Sequence, residues 1–247
     1  MPVSPDLDIL LLGETGEAEE LVLALRDRSD CHVCRPSELG ISPAELTDSA
    51  RLRALLSDRG IRLVVNAAGP YEAALSDCAL DAAVATEGQV LRVTRPPWHR
   101  DLLDSWIEVP SVAAAADICR WYGKRILVTL TEADLAPFAG NDRCHFIIRL
   151  PAAPAGPLDL AHYDLVIGRG PFPWLDERRL MMEQQIDLLV SRNSGGLDAY
   201  AKIDVARDLA IPVVMIRRPV SPMQPQAETI AQALTWIDAW RQAQREH

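Results

Sequence analysis

A rhythm constrains this chain more than anything else: short unbroken apolar runs alternate with longer amphipathic stretches. Residues 8–12 read DILLL, and an apolar run of that length suits a strand buried on both faces of a parallel sheet. Residues 17–28 then carry helical spacing, and 31–34 form a second short run. The stretch 49–59 sets Leu52, Leu55 and Leu56 on one side of a helix. A strand at 62–66, a helix at 71–86 and a strand at 90–93 complete a β-α-β-α-β-α-β series, the pattern of a doubly wound parallel sheet.

Two prolines in Arg95-Pro96-Pro97-Trp98 stop that series. A second one follows, with an extended segment at 106–109, a helix at 112–122 and strands at 125–129 and 144–149. A proline-rich loop spans 151–157. Beyond it come a strand at 164–167, a helix at 175–184, a strand at 187–190, a helix at 200–209 and a strand at 213–216. The last helix, 228–245, spaces Ile230, Leu234, Ile237 and Trp240 for core contacts. The fold class expected is α/β with two doubly wound subdomains. Their boundary is expected near residue 103, giving a nucleotide-binding part at 1–103 and a C-terminal part at 104–247.

The chain of 247 residues is 49% hydrophobic, long and apolar enough to bury a sizeable core. No apolar run reaches a membrane span of roughly 18 residues. The opening residues carry Asp6 and Asp8 and no basic cluster, so no leader is expected and the protein reads as cytoplasmic. A net charge of −10 argues against general nucleic-acid binding. An anionic ligand then requires a local basic patch. The cysteines Cys31, Cys34, Cys78, Cys119 and Cys144 are odd in number and scattered, as free thiols are. Cys31 and Cys34 have CxxC spacing but lack the second pair a zinc site needs, and the histidines form no cluster by spacing. No metal is expected.

Chemistry points to the strand ends. Gly13-Glu14-Thr15-Gly16-Glu17 follows the first strand and opens the first helix, where backbone N–H groups and the helix N-terminus can meet a phosphate. It falls short of GxGxxG, and a plain strand-to-helix turn reads the same way. The second strand runs into Arg35 instead of an acid. An Arg there tolerates the 2′-phosphate of NADP, whereas an acid would favour NAD; a solvated surface Arg is the alternative. Three more loops follow strands: Arg169-Gly170-Pro171-Phe172, Arg192-Asn193-Ser194-Gly195-Gly196 and Arg217-Arg218-Pro219. Ligands of open α/β sheets bind beyond the carboxyl ends of strands, so the three loops are expected on one edge as an anion-binding rim. No YxxxK, GxSxG or P-loop lysine motif occurs, which removes three common enzyme classes.

Four segments together carry a resemblance: 169–178 (RGPFPWLDER), 186–196 (IDLLVSRNSGG), 200–207 (YAKIDVAR) and 211–219 (IPVVMIRRP). With 95–98 and 106–109 in matching order, the chain resembles the precorrin-6A reductase family from residue 8 to about 219. The resemblance implies two Rossmann-like subdomains with a ligand cleft between them. It also implies NADPH-linked hydride transfer to a carbon–carbon double bond of a corrin-precursor macrocycle, giving precorrin-6B in cobalamin biosynthesis. By position, Gly13, Thr15, Gly16 and Glu17 belong to the cofactor turn; Arg35 joins them as a cofactor-binding candidate from its place after the second strand. Arg169, Gly170, Arg192, Asn193, Ser194, Gly195, Gly196 and Lys202 belong to the second rim. No catalytic residue is assigned. The implied partner is a tetrapyrrole-derived polycarboxylate substrate, with neither nucleic acid nor membrane, in a monomer or homodimer.

Departures from the family pattern gather in the first half. Glu14 stands where the family turn has glycine, Gly69 where a histidine is usual, Thr131 where a glycine is, and 36–48 replaces a glycine-rich segment. Three functions follow: a working precorrin-6A reductase, a reductase retuned to another substrate, or a non-catalytic binding subunit. NADPH binding separates the last from the first two.

Overall fold

The structure, a computed structural model, describes residues 7–26, 28, 30–42, 45–220 and 225–245. Residues 1–6, which enter the expectation of no leader, lie outside those described, as does His247. Among the described residues no helix is long and apolar enough to cross a membrane.

The chain divides into two compact units, Met1–Pro96 with Pro219–His247, and Pro97–Arg218. The first holds strands β1 (Leu7–Leu12), β2 (Cys31–Cys34), β3 (Leu63–Asn66), β4 (Gln89–Val93) and, near the C-terminus, β11 (Gln226–Ala227). They pair in parallel in the order β11-β4-β3-β1-β2. Helices α1 (Gly16–Leu25) and α7 (Ile230–Arg245) cover one face, packing on Ile9, Leu11, Leu63, Val65 and Leu91. Helices α2 (Ser49–Arg59) and α3 (Ala73–Ala85) cover the other, on Leu10, Leu12, Val64 and Val90. Alternate residues of each apolar run thus serve opposite cores, which is why the runs are unbroken. Local signals set the helix ends. Asp48 caps α2 by accepting from Ala50 and Arg51 N–H at 2.9 and 3.1 Å, and Gly60 ends it at φ 64°.

The second unit has a six-stranded parallel sheet in the order β5-β10-β9-β6-β7-β8. Its strands are β5 (Trp106–Val109), β6 (Arg125–Thr129), β7 (His145–Leu150), β8 (Tyr163–Ile167), β9 (Leu188–Arg192) and β10 (Val213–Ile216). Helices α5 (Trp174–Glu183) and α6 (Ala201–Asp208) pack on Leu127, Ile147, Leu189, Val213 and Met215. Helix α4 (Val112–Tyr122) packs against β9 and β10 on the opposite face, where Phe138 and Phe146 meet edge to face at 5.6 Å between centroids.

Every expected strand and helix is present, with ends shifted by a few residues; α1 stops at Leu25 instead of reaching 28. The division differs from the one expected at residue 103. The switch of units falls at Pro96, and the last segment returns to the first unit. There Pro225 and Ala227 carbonyls accept from Arg92 and Thr94 N–H, both at 3.0 Å. An apolar helical stripe looks the same whichever sheet it covers, and a two-residue strand leaves no periodic signature.

Candidate functional site

Ligands of open α/β sheets sit where the strand order reverses. In the first unit β2 and β3 flank β1, so the reversal lies between β1 and β3. Gly13 stands there at φ 105°. A Cβ on it would come within 2.5–2.6 Å of Ala67 and Ala68 backbone atoms, so the turn requires glycine. The Thr15 hydroxyl caps α1, accepting from Ala18 N–H at 3.3 Å, and donates to the Ala67 carbonyl at 2.7 Å. Thr15 therefore ties the turn to the β3 loop, a structural task. Gly16 has open space where a Cβ would go. With the Ala18 N–H taken by Thr15, the Gly16 and Glu17 N–H groups, beyond reach of any helical carbonyl, remain to meet a ligand.

Acids crowd this helix start, and most are neutralised. Glu17 pairs with Arg95 at 2.6 Å and Glu19 with Arg35 at 2.8 Å. The Glu19 contact lowers that carboxyl's pKa and raises that of Arg35. Arg35 keeps one buried nitrogen, Nη2, without a hydrogen-bond partner among the described residues. Gly13, Glu14, Arg35, Ser37 and Glu72 line one cavity of about 430 Å³. Gly13 and Arg35 thus line the same cavity, and exposed Glu14 stands with them.

A buried arginine supports this edge. Arg92, 3% exposed, donates to Asn66 Oδ1 at 2.8 Å, Ser76 Oγ at 3.2 Å and the Gly69 carbonyl at 3.1 Å. Asn66 in turn accepts from Ala68 N–H at 3.0 Å. The loop after β3 is thereby held rigid around Gly69. Arg92 belongs to no motif, and its one trace in the sequence is a charged residue inside the apolar run VLRV.

In the second unit the order reverses between β6 and β9. The ends of β8, β9 and β10 lie on one edge, as parallel pairing demands, with β6 and β7 between β9 and β8. Arg169, Gly170 and Lys202 line one cavity of about 380 Å³ with Arg149, Phe172 and Glu177. Lys202 is 8% exposed, and among the described residues no hydrogen bond or ion pair holds its ammonium. Its Nζ stands 5.5 Å from the centroid of the Trp98 ring. Burial pushes its pKa down to about 8, and nearby Arg149 adds to this against the opposing pull of Glu177. Arg149 itself is locked in a bidentate pair with Glu177, both contacts 2.6 Å, beneath the Phe172 ring at 4.3 Å. Its buried Nε has no partner among the described residues.

The loop Arg192 to Gly196 lies beside that cavity instead of lining it. Arg192 pairs with Asp134 at 2.7 Å. Asn193 uses both ends of its amide on Trp98, accepting from its N–H at 2.7 Å and donating to its carbonyl at 2.9 Å. The Trp98 indole donates to the Gly196 carbonyl at 2.6 Å, and Arg218 grips the Asn193 and Ser194 carbonyls at 2.7 and 2.6 Å. Gly195 and Gly196 both adopt left-handed φ, 71° and 73°. The loop positions Trp98, and Trp98 covers Lys202. Arg217 is exposed.

The five cysteines are free. Cys31 and Cys34 do not act together, but Asp8, His32 and Cys34 bring three potential ligand atoms within 4.8 Å of one another. Sequence spacing hid this cluster because Asp8 joins it from the neighbouring strand.

Fold and edge geometry define an α/β protein with two doubly wound parallel sheets, each gathering glycine-bearing loops and basic side chains at its switch point. The chain belongs to the precorrin-6x reductase family: the family model described as Precorrin-6x reductase CbiJ/CobK matches residues 8–238. It is 34% identical to the Precorrin-6A reductase of Rhodococcus erythropolis, over 93% of this chain and 96% of that one. It is 30% identical to the Precorrin-6A reductase of Rhodobacter capsulatus, over 93% and 95%. The solved structure of CobK precorrin-6A reductase superposes with a TM-score of 0.82 at 27% identity, covering 94% of this chain and 96% of that one.

Proposed function

We propose that this chain is an NADPH-dependent precorrin-6A reductase, saturating a carbon–carbon double bond of the macrocycle to give precorrin-6B in cobalamin biosynthesis. The observation that carries the reading is the near full-length match to relatives of that name. The first unit fits the cofactor. Gly13 leaves the close approach a pyrophosphate needs, the start of α1 offers N–H groups, and Arg35, which lines the cavity with one buried guanidinium nitrogen unpartnered among the described residues, suits a 2′-phosphate. Gly13, the start of α1 and Arg35 would hold NADPH, which would supply the hydride, with solvent as the source of the proton.

The chain's own residues bind, orient and exclude water. Lys202 and Arg169 offer positive charge to the carboxylates of the substrate in an otherwise acidic protein. A lysine buried without a counterion is poised for an anion, because pairing removes the penalty of its burial. The loop from Arg192 to Gly196 serves by fixing Trp98.

One observation favours a second reading, a relative that binds no cofactor: the Glu14 carboxylate stands on the cavity that would receive phosphate. Titration calorimetry with NADPH, alongside Glu14→Gly, decides between them. Micromolar binding by the unaltered protein, followed by precorrin-6A-dependent oxidation of NADPH, is the expected outcome. Binding only by the variant would sink the reductase reading.

A further inference from the structure

We propose that Asp8, His32 and Cys34 form a binding site for a thiophilic divalent cation, zinc foremost, at the outer edge of the first sheet. Strands β1 and β2 are parallel, with Asp8 opposite His32 and Leu10 opposite Cys34. Residues 32 and 34 share a face of β2, and Asp8 shares it across the pair. His32 Nδ1 stands 3.3 Å from Asp8 Oδ1 and 3.2 Å from Cys34 Sγ. Zinc bonds of roughly 2.0–2.3 Å in tetrahedral geometry place neighbouring ligand atoms roughly 3.3–3.6 Å apart. Both His32 distances already lie within tenths of an ångström of those values, and the three ligand atoms all lie within 4.8 Å of one another.

Ring chemistry points the same way. Nδ1 carries either one proton or one lone pair, so by itself it cannot satisfy both a carboxylate oxygen and a sulfur. A cation among the three atoms satisfies all of them. A thiolate and a carboxylate together cancel a double positive charge, and a mixed sulfur, nitrogen and oxygen set selects zinc-like ions over magnesium or calcium. Asp8 and Glu38 make the surroundings of Cys34 negative, opposed by Arg59. The exposed His32 leaves a path for entry and a fourth position for water. Cys31 takes no part. Three residues away on the same strand, it faces the opposite side and packs in the core under α1 and α7. The ion would tie edge strand β2 to β1 and stabilise the fold by mass action.

The test uses the full chain, reduced and metal-free, titrated with Co²⁺ and then Zn²⁺. The expected result is one equivalent of Co²⁺ bound, with a thiolate-to-cobalt charge-transfer band that Zn²⁺ removes, and a Tm raised by a few degrees with Zn²⁺. Cys34→Ser should abolish the band, Cys31→Ser should keep it, and His32→Asn should weaken binding at least tenfold. Because His32 is exposed, that variant tests the site even if Cys34→Ser fails to fold. The absence of a saturable band, or a band that survives in both Cys34→Ser and His32→Asn, overturns the proposal.

Discussion

The two sheet edges handle charge in opposite ways. At the first unit's edge the basic side chains are answered by acids of α1: Glu17 holds Arg95, and Glu19 holds Arg35. At the second unit's edge Arg149 is answered by Glu177, yet Lys202 lies buried with no carboxylate among the described residues in an ion pair with it. The first edge is a near-neutral cradle whose attraction comes from N–H groups, a helix end and the Arg35 guanidinium, one nitrogen of which is unpartnered among the described residues. The second keeps an uncompensated cation in a low-dielectric cavity. A cradle of the first kind suits a ligand gripped through its backbone phosphates. The second suits a ligand that brings its own negative charge and gains affinity by relieving a buried one.

The largest effect should come from breaking the more deeply buried ion pair of the second edge, Arg149 with Glu177. Glu177→Gln leaves Arg149 buried without a counter-charge and removes the carboxylate that favours protonated Lys202. A loss of about 3–5 kcal/mol is expected, read as a Tm lower by roughly 10 °C. A Tm within two degrees of the unaltered protein would show that this edge is wetter than its burial indicates. In the first edge, where shape dominates, Gly13→Ala should cost about 2–4 kcal/mol from backbone overlap and positive φ. Gly16→Ala, three residues on and facing open space, should change stability by less than about 0.5 kcal/mol. Equal effects at the two glycines would refute the close approach at Gly13.

Lys202→Met separates stability from function. Below about pH 8 the folded protein carries this lysine charged against its burial. That penalty is full at neutral pH and disappears as pH rises toward the ordinary lysine value. The variant should therefore melt a few degrees higher at neutral pH, with the gain shrinking in alkali. KM for the anionic substrate should rise roughly tenfold or more. In the unaltered protein KM should be flat at low pH and climb above about pH 8 as the ammonium is lost; the climb should be missing in Lys202→Met. A variant that loses stability and keeps its KM would make Lys202 a packing residue.

The scaffold was legible because strands buried on both faces must be apolar throughout, a pattern that survives without any partner being known. The runs 9–12, 63–65 and 213–216 all show it. Charged residues inside such runs were not legible. Arg92 and Arg149 read as ordinary positions until the fold surrounds one with Asn66 and Ser76 and the other with Glu177. Motif reading located the loop Arg192 to Gly196 and assigned it to ligand, whereas Asn193 and Gly196 are occupied with Trp98, nearly a hundred residues away in sequence. Partnerships of this length leave no local spacing. The same holds for Asp8 with His32 and Cys34, and for the terminal helix that returns to the first sheet.

The smallest effect is the sharpest test of the near-neutral cradle. Glu14 is the one acid at the start of α1 that lines the cavity without an arginine against it, and its charge is felt at Arg35. A unit charge several ångströms from a phosphate in a solvated cavity is worth on the order of 1 kcal/mol, so Glu14→Gly should tighten NADPH binding about three- to tenfold. Glu17→Gln should do less, because that carboxylate already faces Arg95 and its removal frees a cation at the same time. Titration at low and high salt checks the origin of the gain: an electrostatic advantage of Glu14→Gly shrinks as ionic strength rises. A gain that persists undiminished at high salt would assign it to backbone freedom at residue 14, and the first edge would then owe its affinity to shape alone.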